Sequence, residues 1–468
     1  MQHRVIPPDS SGKVVEKEDN NKTGEMLNRD STDTGKAMRK ETFMRILHLV
    51  VILAVACDCA SAQDGLTLNQ CLELAHRNSP ALRAAEDAIQ ASRLSRSELS
   101  TTSLPQLKAG VSGNYAPVPP SFGYDPVISN GGQLAGQVMF QQSLYDGGMR
   151  GVKSDQLQTD EKRLLLEHRR ADRDLTFAVS QSFLDALRAQ RAVELQRQSV
   201  DQLAAYLALV QRLFDGGNAG YSDVLKTEIQ LSEASLDLQR AQEVAQSAWY
   251  SLAEAVGTDL DTTSHALGSL ETPPDSVSAA GGDTVLESMD LKIAALGVER
   301  AALEVELARR ERFPEVSLAG DAGYLSSVEN LRLPSSERVS ALGYAIGVGI
   351  EVPVFNGGAT GLKVQQRELE LDEQRTRAEQ LRRSLVAEIR RTRLGLDGAR
   401  RRLGAIRENV KKAEDNFILT RSKYAGGASI ALEVLSSQQL LTGTKLSELE
   451  TLATIQLLSA KLKQLTAP

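Results

Sequence analysis

The sequence predicts an α+β membrane protein built by tandem duplication, each copy a pair of strands leading into a long antiparallel helical hairpin. Three observations predict it: the chain repeats itself at a nearly constant offset, two proline-free windows carry seven-residue apolar periodicity, and the stretches before them alternate with period two. Tyr145-Asp146-Gly147-Gly148 returns as Phe355-Asn356-Gly357-Gly358 (355 − 145 = 210), and Phe214-Asp215-Gly216-Gly217 returns as Tyr424-Ala425-Gly426-Gly427 at the same offset. Leu104-Pro105-Gln106-Leu107 returns as Phe313-Pro314-Glu315-Val316, with Tyr115 matching Tyr324 (324 − 115 = 209). One inserted residue separates the two registers. A duplication kept so nearly free of gaps implies that element lengths matter, as they do for long helices running in parallel.

The N-terminus is read first. Residues 1–43 are polar and charged, the composition of a disordered extension. Arg39, Lys40 and Arg45 then precede an apolar run, Ile46 to Ala56, and Ala60-Ser61-Ala62 follows. This three-part pattern predicts a secretory signal over 44–62 with cleavage after Ala62, rather than a buried helix. The run is too short to span a membrane as an ordinary helix. A polar lead of this length is unusual for such a signal, so translation is expected to begin at Met38 or Met44. Cys57 and Cys59 fall within the signal, leaving Cys71 alone and no intramolecular disulfide in the mature chain. Lipidation at Cys57, after Ala54-Val55-Ala56, is the alternative to cleavage after Ala62; the position usually Leu in a lipoprotein box is Ala54.

The mature chain divides into a first repeat (63–258), a connector (259–283) rich in Ser, Thr, Gly and Pro, and a second repeat (284–468). Period-two stretches open each repeat. Leu107, Ala109, Val111 and Tyr115 alternate with Lys108, Ser112 and Asn114; Leu134, Val138, Phe140 and Leu144 alternate with Gln137, Gln141 and Ser143. In the second copy Val316, Leu318 and Tyr324 alternate with Ser317 and Asp321, and Leu342, Tyr344, Ile346, Val348, Ile350 and Val352 with Gly343, Gly347, Gly349 and Glu351. These are strands of about ten residues with one apolar face, the pattern of a membrane barrel or of a half-buried sheet in a soluble domain. The export signal favours the barrel. Four strands cannot close one of useful width, and an open edge in lipid is forbidden. Several chains must therefore share a barrel; three would supply twelve strands and gather the hairpins into a hollow α-helical cylinder.

The hairpins follow. No proline occurs between Pro126 and Pro273 or between Pro353 and Pro468. Val179, Ala186, Val193, Val200, Leu207 and Phe214 recur every seven residues, and after Gly216-Gly217 the series restarts as Val224, Leu231, Leu238, Ala245 and Leu252. Such heptads predict coiled-coil seams. A helix from Gly148 to Phe214 would extend roughly 100 Å at about 1.5 Å per residue. The glycine pair ends it. At the start of each returning helix, Ser222 with Asp223, and Glu433 in the second copy, place oxygen acceptors where free amides and the helix dipole favour them.

Several function classes find no support. Net charge is −7, spread along the chain, so no nucleic-acid footprint appears. His76, His168 and His265 stand apart without ligand spacing, so no metal site is expected. Gly343, Gly347 and Gly349 have the wrong spacing for a nucleotide loop, and Pro353 follows where a helix should open. No nucleophile–base pairing is present, so neither catalytic residue nor cofactor is expected. Arg393, Arg400 and Arg407, with Arg382, Arg383, Arg390 and Arg391 nearby, read as a solvated helix face that would double as a basic lumen wall.

From about Leu66 onward these features resemble the TolC family of outer-membrane efflux proteins. The most specific parts are the two tips, Phe214-Asp215-Gly216-Gly217-Asn218-Ala219-Gly220-Tyr221-Ser222-Asp223-Val224-Leu225 and Tyr424-Ala425-Gly426-Gly427-Ala428-Ser429-Ile430-Ala431-Leu432-Glu433-Val434-Leu435. Leu66-Thr67-Leu68, Ala75 and Asn78-Ser79-Pro80 resemble the start of a family repeat. The resemblance implies a homotrimer with a twelve-stranded barrel in outer-membrane lipid and an α-helical tunnel across the periplasm. It implies a periplasmic adaptor at the tips and an inner-membrane pump of the RND or ABC class. Gly217, Ser222, Val224, Leu225, Gly427, Ser429, Val434 and Leu435 then fall at the adaptor-contacting tip. Tyr424 and Asp223 match a closing link, and Glu433 an acidic aperture residue. Ser436 stands where a second aperture acid is found and Ser429 where some members carry arginine, which weakens the expected closed-state network. Asn218 and Ala428 replace the usual Leu or Thr. The implied role is a passive export duct; the alternatives are the exit channel of type I protein secretion and a periplasmic coiled-coil scaffold.

Overall fold

Glycine sets where the long helices begin and end. The computed structural model of the chain describes residues 65–116, 131–260, 265–271, 288–328 and 340–467, all within the unit Asp64–Pro468. The expected extension (1–43), the signal segment (44–62) with Cys57 and Cys59, and most of the connector expected over 259–283 lie outside the described residues. The first repeat runs β1 (Gly65–Thr67), α1 (Leu68–Asn78), α2 (Pro80–Thr101), β2 (Gln106–Ala116), β3 (Gly131–Asp146), α3 (Met149–Asp215) and α4 (Tyr221–Val256). After β4 (His265–Leu267), the second runs α5 (Met289–Arg310), β5 (Glu315–Val328), β6 (Ser340–Glu351), α6 (Ala359–Ala425) and α7 (Ala431–Thr466).

Helix lengths match between copies: 67 residues for α3 and α6, 36 for α4 and α7, 22 for α2 and α5. Gly148 (φ 79°) and Gly358 (φ 85°) open α3 and α6 in the left-handed conformation that side chains avoid. Asp146 Oδ2 accepts from the Arg150 amide at 2.8 Å and so caps α3 from outside the glycine pair. The Asn78-Ser79-Pro80 motif is a helix start: Ser79 Oγ accepts from the Leu82 amide and Pro80 fills the first turn of α2. Thr67 and Gln70 form a reciprocal capping box on α1. No described helix is long and apolar enough to cross a membrane.

The four long strands form one antiparallel sheet in the order β2-β3-β5-β6. Its register carries the period-two pattern across all four strands. Leu107 faces Phe140, Phe140 faces Gly320, and Gly320 faces Ile346; the next row is Ala109, Val138, Ala322 and Tyr344. Lys108, Met139, Asp321 and Ala345 share the opposite face. No described helix packs on the apolar side, and Tyr344 is 84 % and Ile346 76 % exposed. A soluble half-buried sheet would have covered them. The pair Ala116↔Gly131 maps onto Leu325↔Ala341, so the two ladders keep one register and the inserted residue falls beyond them. The Tyr115 and Asn114 side chains lie outside the described residues.

Three expectations for the strands need correction. The strands are 11 to 16 residues long rather than about ten. A bulge between Ser143 and Tyr145 leaves Leu144 without a partner on β5, so Tyr145, opposite Val316, takes the place that alternation assigns to Leu144. Val352 lies past the end of β6. The matching end of β3, Gln142 to Asp146, pairs with β5, but residues 352–356 have no strand beside them within one chain.

The helices pack around three apolar clusters. One joins Cys71, Val179, Phe183, Trp249 and Leu252; the second repeat's counterpart joins Ile389, Leu396, Ile455 and Leu462. The third lies at the tips and draws on both hairpins. Val224 and Leu252 are buried, with Leu231, Leu238 and Ala245 half-buried between them, so the expected α4 stripe holds along its length. The α3 stripe holds as far as Leu207: Val193, Val200 and Leu207 are half-buried, the last two against the tip cluster. Val179 and Ala186 are buried, but toward the tip the buried positions become Ser199, Leu203, Tyr206 and Val210, and Phe214 is exposed. The helix changes neighbours along its length, from α1 and α4 to α4 with α6 and α7, and its buried side turns with them. The arginine heptad also differs from a solvated face: Arg393 and Arg400 are half-buried, and exposed Arg407 reaches Glu448 on α7 at 3.1 Å. Carboxylates remote in sequence meet two histidines, Asp172 at 2.6 Å from His76 and Glu86 at 3.8 Å from His168.

Burial pushes the Cys71 thiol up to about 11, away from the thiolate range. Native protein treated with N-ethylmaleimide at neutral pH should therefore modify the Cys71 peptide roughly a hundredfold more slowly than denatured protein, as read by mass spectrometry.

The helical tips as the candidate functional site

Each tip is a six-residue turn closed by backbone bonds. The Asn218 amide donates to Leu213 O at 2.7 Å and the Gly217 amide to Phe214 O at 2.9 Å; Ala428 to Lys423 O (2.8 Å) and Gly427 to Tyr424 O (3.0 Å) repeat the pattern. This is a Schellman closure, which needs a left-handed residue at its centre. Gly217 (φ 75°) and Gly427 (φ 74°) supply it. The returning helices start with acids: Asp223 in the first turn of α4 and Glu433 in the first turn of α7.

The two hairpins meet at the tips through side chains. Tyr424 Oη donates to Asp223 Oδ2 at 3.4 Å, joining α6 to α4 across 201 positions. Beneath it lies Tyr206 of α3, its ring edge-on to Tyr424 at 5.4 Å between centroids. Burial raises the Tyr424 hydroxyl's pKa, with the Asp223 carboxylate adding to it. Burial raises that of Tyr206 further, with Tyr424 and Asp223 contributing. Both therefore stay protonated and act as donors. Two more bonds cross the same seam, Gln438 Nε2 to Ser199 Oγ at 2.6 Å and Gln439 Nε2 to Gln230 Oε1 at 3.1 Å.

The other expected tip residues divide by burial. Ser222 and Glu433 are exposed and Asp223 is half-buried. Ser429 donates to Glu433 Oε2, so the serine found in place of arginine orients the acid. Ser436 Oγ donates to Glu433 O at 3.1 Å and contributes no charge. Leu225 is exposed, but Val224, Val434 and Leu435 are buried in the tip cluster. Any contact they make with a partner is indirect, through packing. The exposed apolar groups here are instead Tyr221, Ile430 and Leu432, with Phe214 leaning on Tyr221 at 5.8 Å. Sequence reasoning passed over these and Tyr206, although Tyr221, Ile430 and Leu432 flank the acids it selected.

The sequence profile of the outer membrane efflux protein family matches residues 71–258 and 282–467. The chain belongs to this family. Membership assigns it to the outer membrane, with the helical part extending into the periplasm. Among curated relatives, the proteases secretion protein PrtF of Dickeya chrysanthemi is 25 % identical over 59 % of this chain and 61 % of the relative. The pyoverdine export outer membrane protein OpmQ of Pseudomonas aeruginosa is 26 % identical over 59 % of this chain and 58 % of the relative. The chain thus spans about three fifths of the length of these relatives. Among solved structures, the Campylobacter jejuni CmeC outer membrane channel aligns with a TM-score of 0.74 and 15 % identity, covering 85 % of each chain. The chain's fold is therefore that of the TolC-like channels.

Replacing Gly217 with Ala should cost the tip about 1 kcal/mol through its left-handed backbone. Amide exchange at Asn218 would then speed up roughly fivefold.

Proposed function

We propose that the chain is one third of an outer-membrane exit duct: three copies close a twelve-stranded barrel in lipid, and their hairpins form the tunnel leading to it. The observation that carries this reading is the sheet. It has a bare apolar face, and its edge strand β6 stops where the equivalent strand β3 continues against a neighbour. In lipid the edges of β2 and β6 must be paired, and a second copy supplies a matching edge. The turn before α6 supports the same idea. At the first junction, a side chain on Gly147 or Gly148 would strike Phe313 or Arg310; at the second, Gly357 and Gly358 face open space. Leu104 of a neighbouring copy, the counterpart of Phe313, would fill it.

The tips, in this reading, meet a periplasmic adaptor through Tyr221, Leu225, Ile430 and Leu432, with Gly217, Ser222, Gly427 and Ser429 shaping the turn and Val224, Val434 and Leu435 supporting it from within. An inner-membrane pump, of the RND or ABC class, supplies the energy. The Tyr424–Asp223 bond holds the tip closed, Glu433 lines the aperture, and the chain itself performs no reaction. Export of small compounds is the first assignment. Protein secretion is the second, favoured by the likeness to PrtF and to the alkaline protease secretion protein AprF of Pseudomonas aeruginosa. Co-purification after mild cross-linking distinguishes them by the pump recovered. A coiled-coil scaffold would leave the membrane in carbonate; the duct would stay.

The repeat also gives the seam between copies a register. Since β6 matches β3 at 210 and β2 matches β5 at 209, the pair Phe140↔Gly320 translates to Ile350 opposite Val111 of the neighbouring copy. Ile350→Cys combined with Val111→Cys should give a disulfide-linked ladder ending at the trimer on a non-reducing gel, whereas Ile350→Cys with Leu107→Cys should not. In planar bilayers, Glu433→Gln should reduce the preference for cations, measured as a shift of reversal potential; an unchanged potential removes Glu433 from the aperture.

A further inference from the structure

The two hairpins of one chain meet where α3 runs beside α7. The repeat carries that meeting over to a neighbouring copy. Helices α3 and α6 are both 67 residues long and α4 and α7 both 36, and each pair is displaced by 210 positions (359 − 149 and 431 − 221). In a ring of three copies the hairpins alternate, first and second, so the meeting of α3 with α7 recurs as a meeting of α6 with α4 of the next copy. Each bond of the in-chain seam then names two residues that face one another between copies.

The residues named in this way are complementary. Gln464 Nε2 donates to Asp174 Oδ1 at 2.8 Å within the chain. The counterparts are Glu254 and Ser384, so the acid has changed sides and a hydroxyl stands opposite it. Gln438 Nε2 donates to Ser199 Oγ at 2.6 Å. Its counterparts are Glu228 and Asn409, again an acceptor opposite a donor. Gln439 and Gln230, bonded at 3.1 Å, are replaced on both sides by apolar groups, Ile229 and Leu440. All of these counterparts are exposed in one chain. Within the chain, a cavity of about 600 Å³ opens beside Ser180 and Leu184 of α3 and Ala460 of α7. The counterparts are Arg390, Leu394 and Tyr250, all exposed, and two of the three are larger.

On the basis of the duct reading, we propose that Tyr250 is a wedge between copies, seated on Leu394 beside Arg390 of the next copy, with Ile229 meeting Leu440 nearer the tip. The space left open within one chain is filled between two. The exposed tyrosine and its three aliphatic partners lose their contact with water there, which holds the helices together. The acids set the register: Glu254 accepts from Ser384 one turn from the wedge, and Glu228 accepts from Asn409 beside Ile229. A slip of one turn would leave Glu228 opposite Ala405 or Ala413 and so without its donor.

Cross-linking of the full-length protein in isolated membranes tests the seam. Ile229→Cys combined with Leu440→Cys, treated with a short bismaleimide, should give a ladder ending at the trimer on a denaturing gel. Ile229→Cys with Ser447→Cys, two turns further along α7, should give at most about a tenth of it. Tyr250→Ala should lower the temperature at which the purified trimer dissociates by several degrees, with helix content by circular dichroism unchanged, whereas Tyr250→Phe should match wild type. If the Ile229 and Leu440 pair links no better than the Ser447 control while Ile350→Cys with Val111→Cys still gives its trimer ladder, the proposal is overturned and the duct reading stands. A dissociation temperature unchanged in Tyr250→Ala, or lowered equally in Tyr250→Phe, overturns it too. Absence of a ladder from both the helical and the sheet pairs refutes the duct reading itself and the proposal with it.

Discussion

An antiparallel sheet must satisfy its edge amides and carbonyls and cover its apolar face, and here one chain does neither. Among the described residues β2 and β6 have strand partners on one side only, and the row Leu107, Phe140, Gly320, Ile346 lies open across the sheet. Water cannot cover that face favourably, and lipid cannot hydrogen-bond those edges. The helical part inherits the constraint. Each strand pair turns into a 67-residue helix through two left-handed glycines, so the direction of the sheet sets the direction of the hairpins. Any closure of the sheet therefore arranges the helices as well.

Apolar clusters hold both ends of the hairpins, and the tips add polar bonds across the seam. Away from the tips, clusters such as Val179, Phe183 and Leu252 are apolar and bury their surface within one repeat. Around α5, charged groups bridge helices: Arg300 reaches Asp160 on α3, and Arg367 on α6 reaches Glu304 on α5. These pairs are only partly buried, so solvent still screens them and each contributes little. At the tips, the bonds between hairpins run through Tyr424, Gln438 and Gln439, groups that can find water when separated.

Most of the fold was legible because it was written locally and twice. The glycine pairs, the matched strand alternations and the Val224–Leu252 stripe each depend on near neighbours in the chain. The misreadings share a cause, namely partners that sequence periodicity does not reveal. The α3 stripe misses only at its last member, Phe214, which is exposed at the tip and leans on Tyr221. Val352 drops out of β6 because the ladder with β5 ends at Glu315, opposite Glu351. Leu144 is displaced by a bulge that leaves no composition signal. The site was legible in part: Tyr424 bonds to Asp223 and Glu433 lies in the first turn of α7, but the burial of Val224, Val434 and Leu435 and the position of Tyr206 depend on contacts between residues about 200 apart.

The matched helix lengths make the chain a ruler. The distance its hairpins reach is fixed by residue count, and a change in one helix alone would shear the glycine turn of that hairpin out of line with the other three helices. Growth or shrinkage of such a chain must proceed in whole heptads inserted at equal depth in α3, α4, α6 and α7. Single-residue insertions are confined to places like the strand connections, where the one-residue difference between the copies is found. A designed version bridging a wider gap could be drafted from this chain by four matched seven-residue additions, with sheet and tips left untouched.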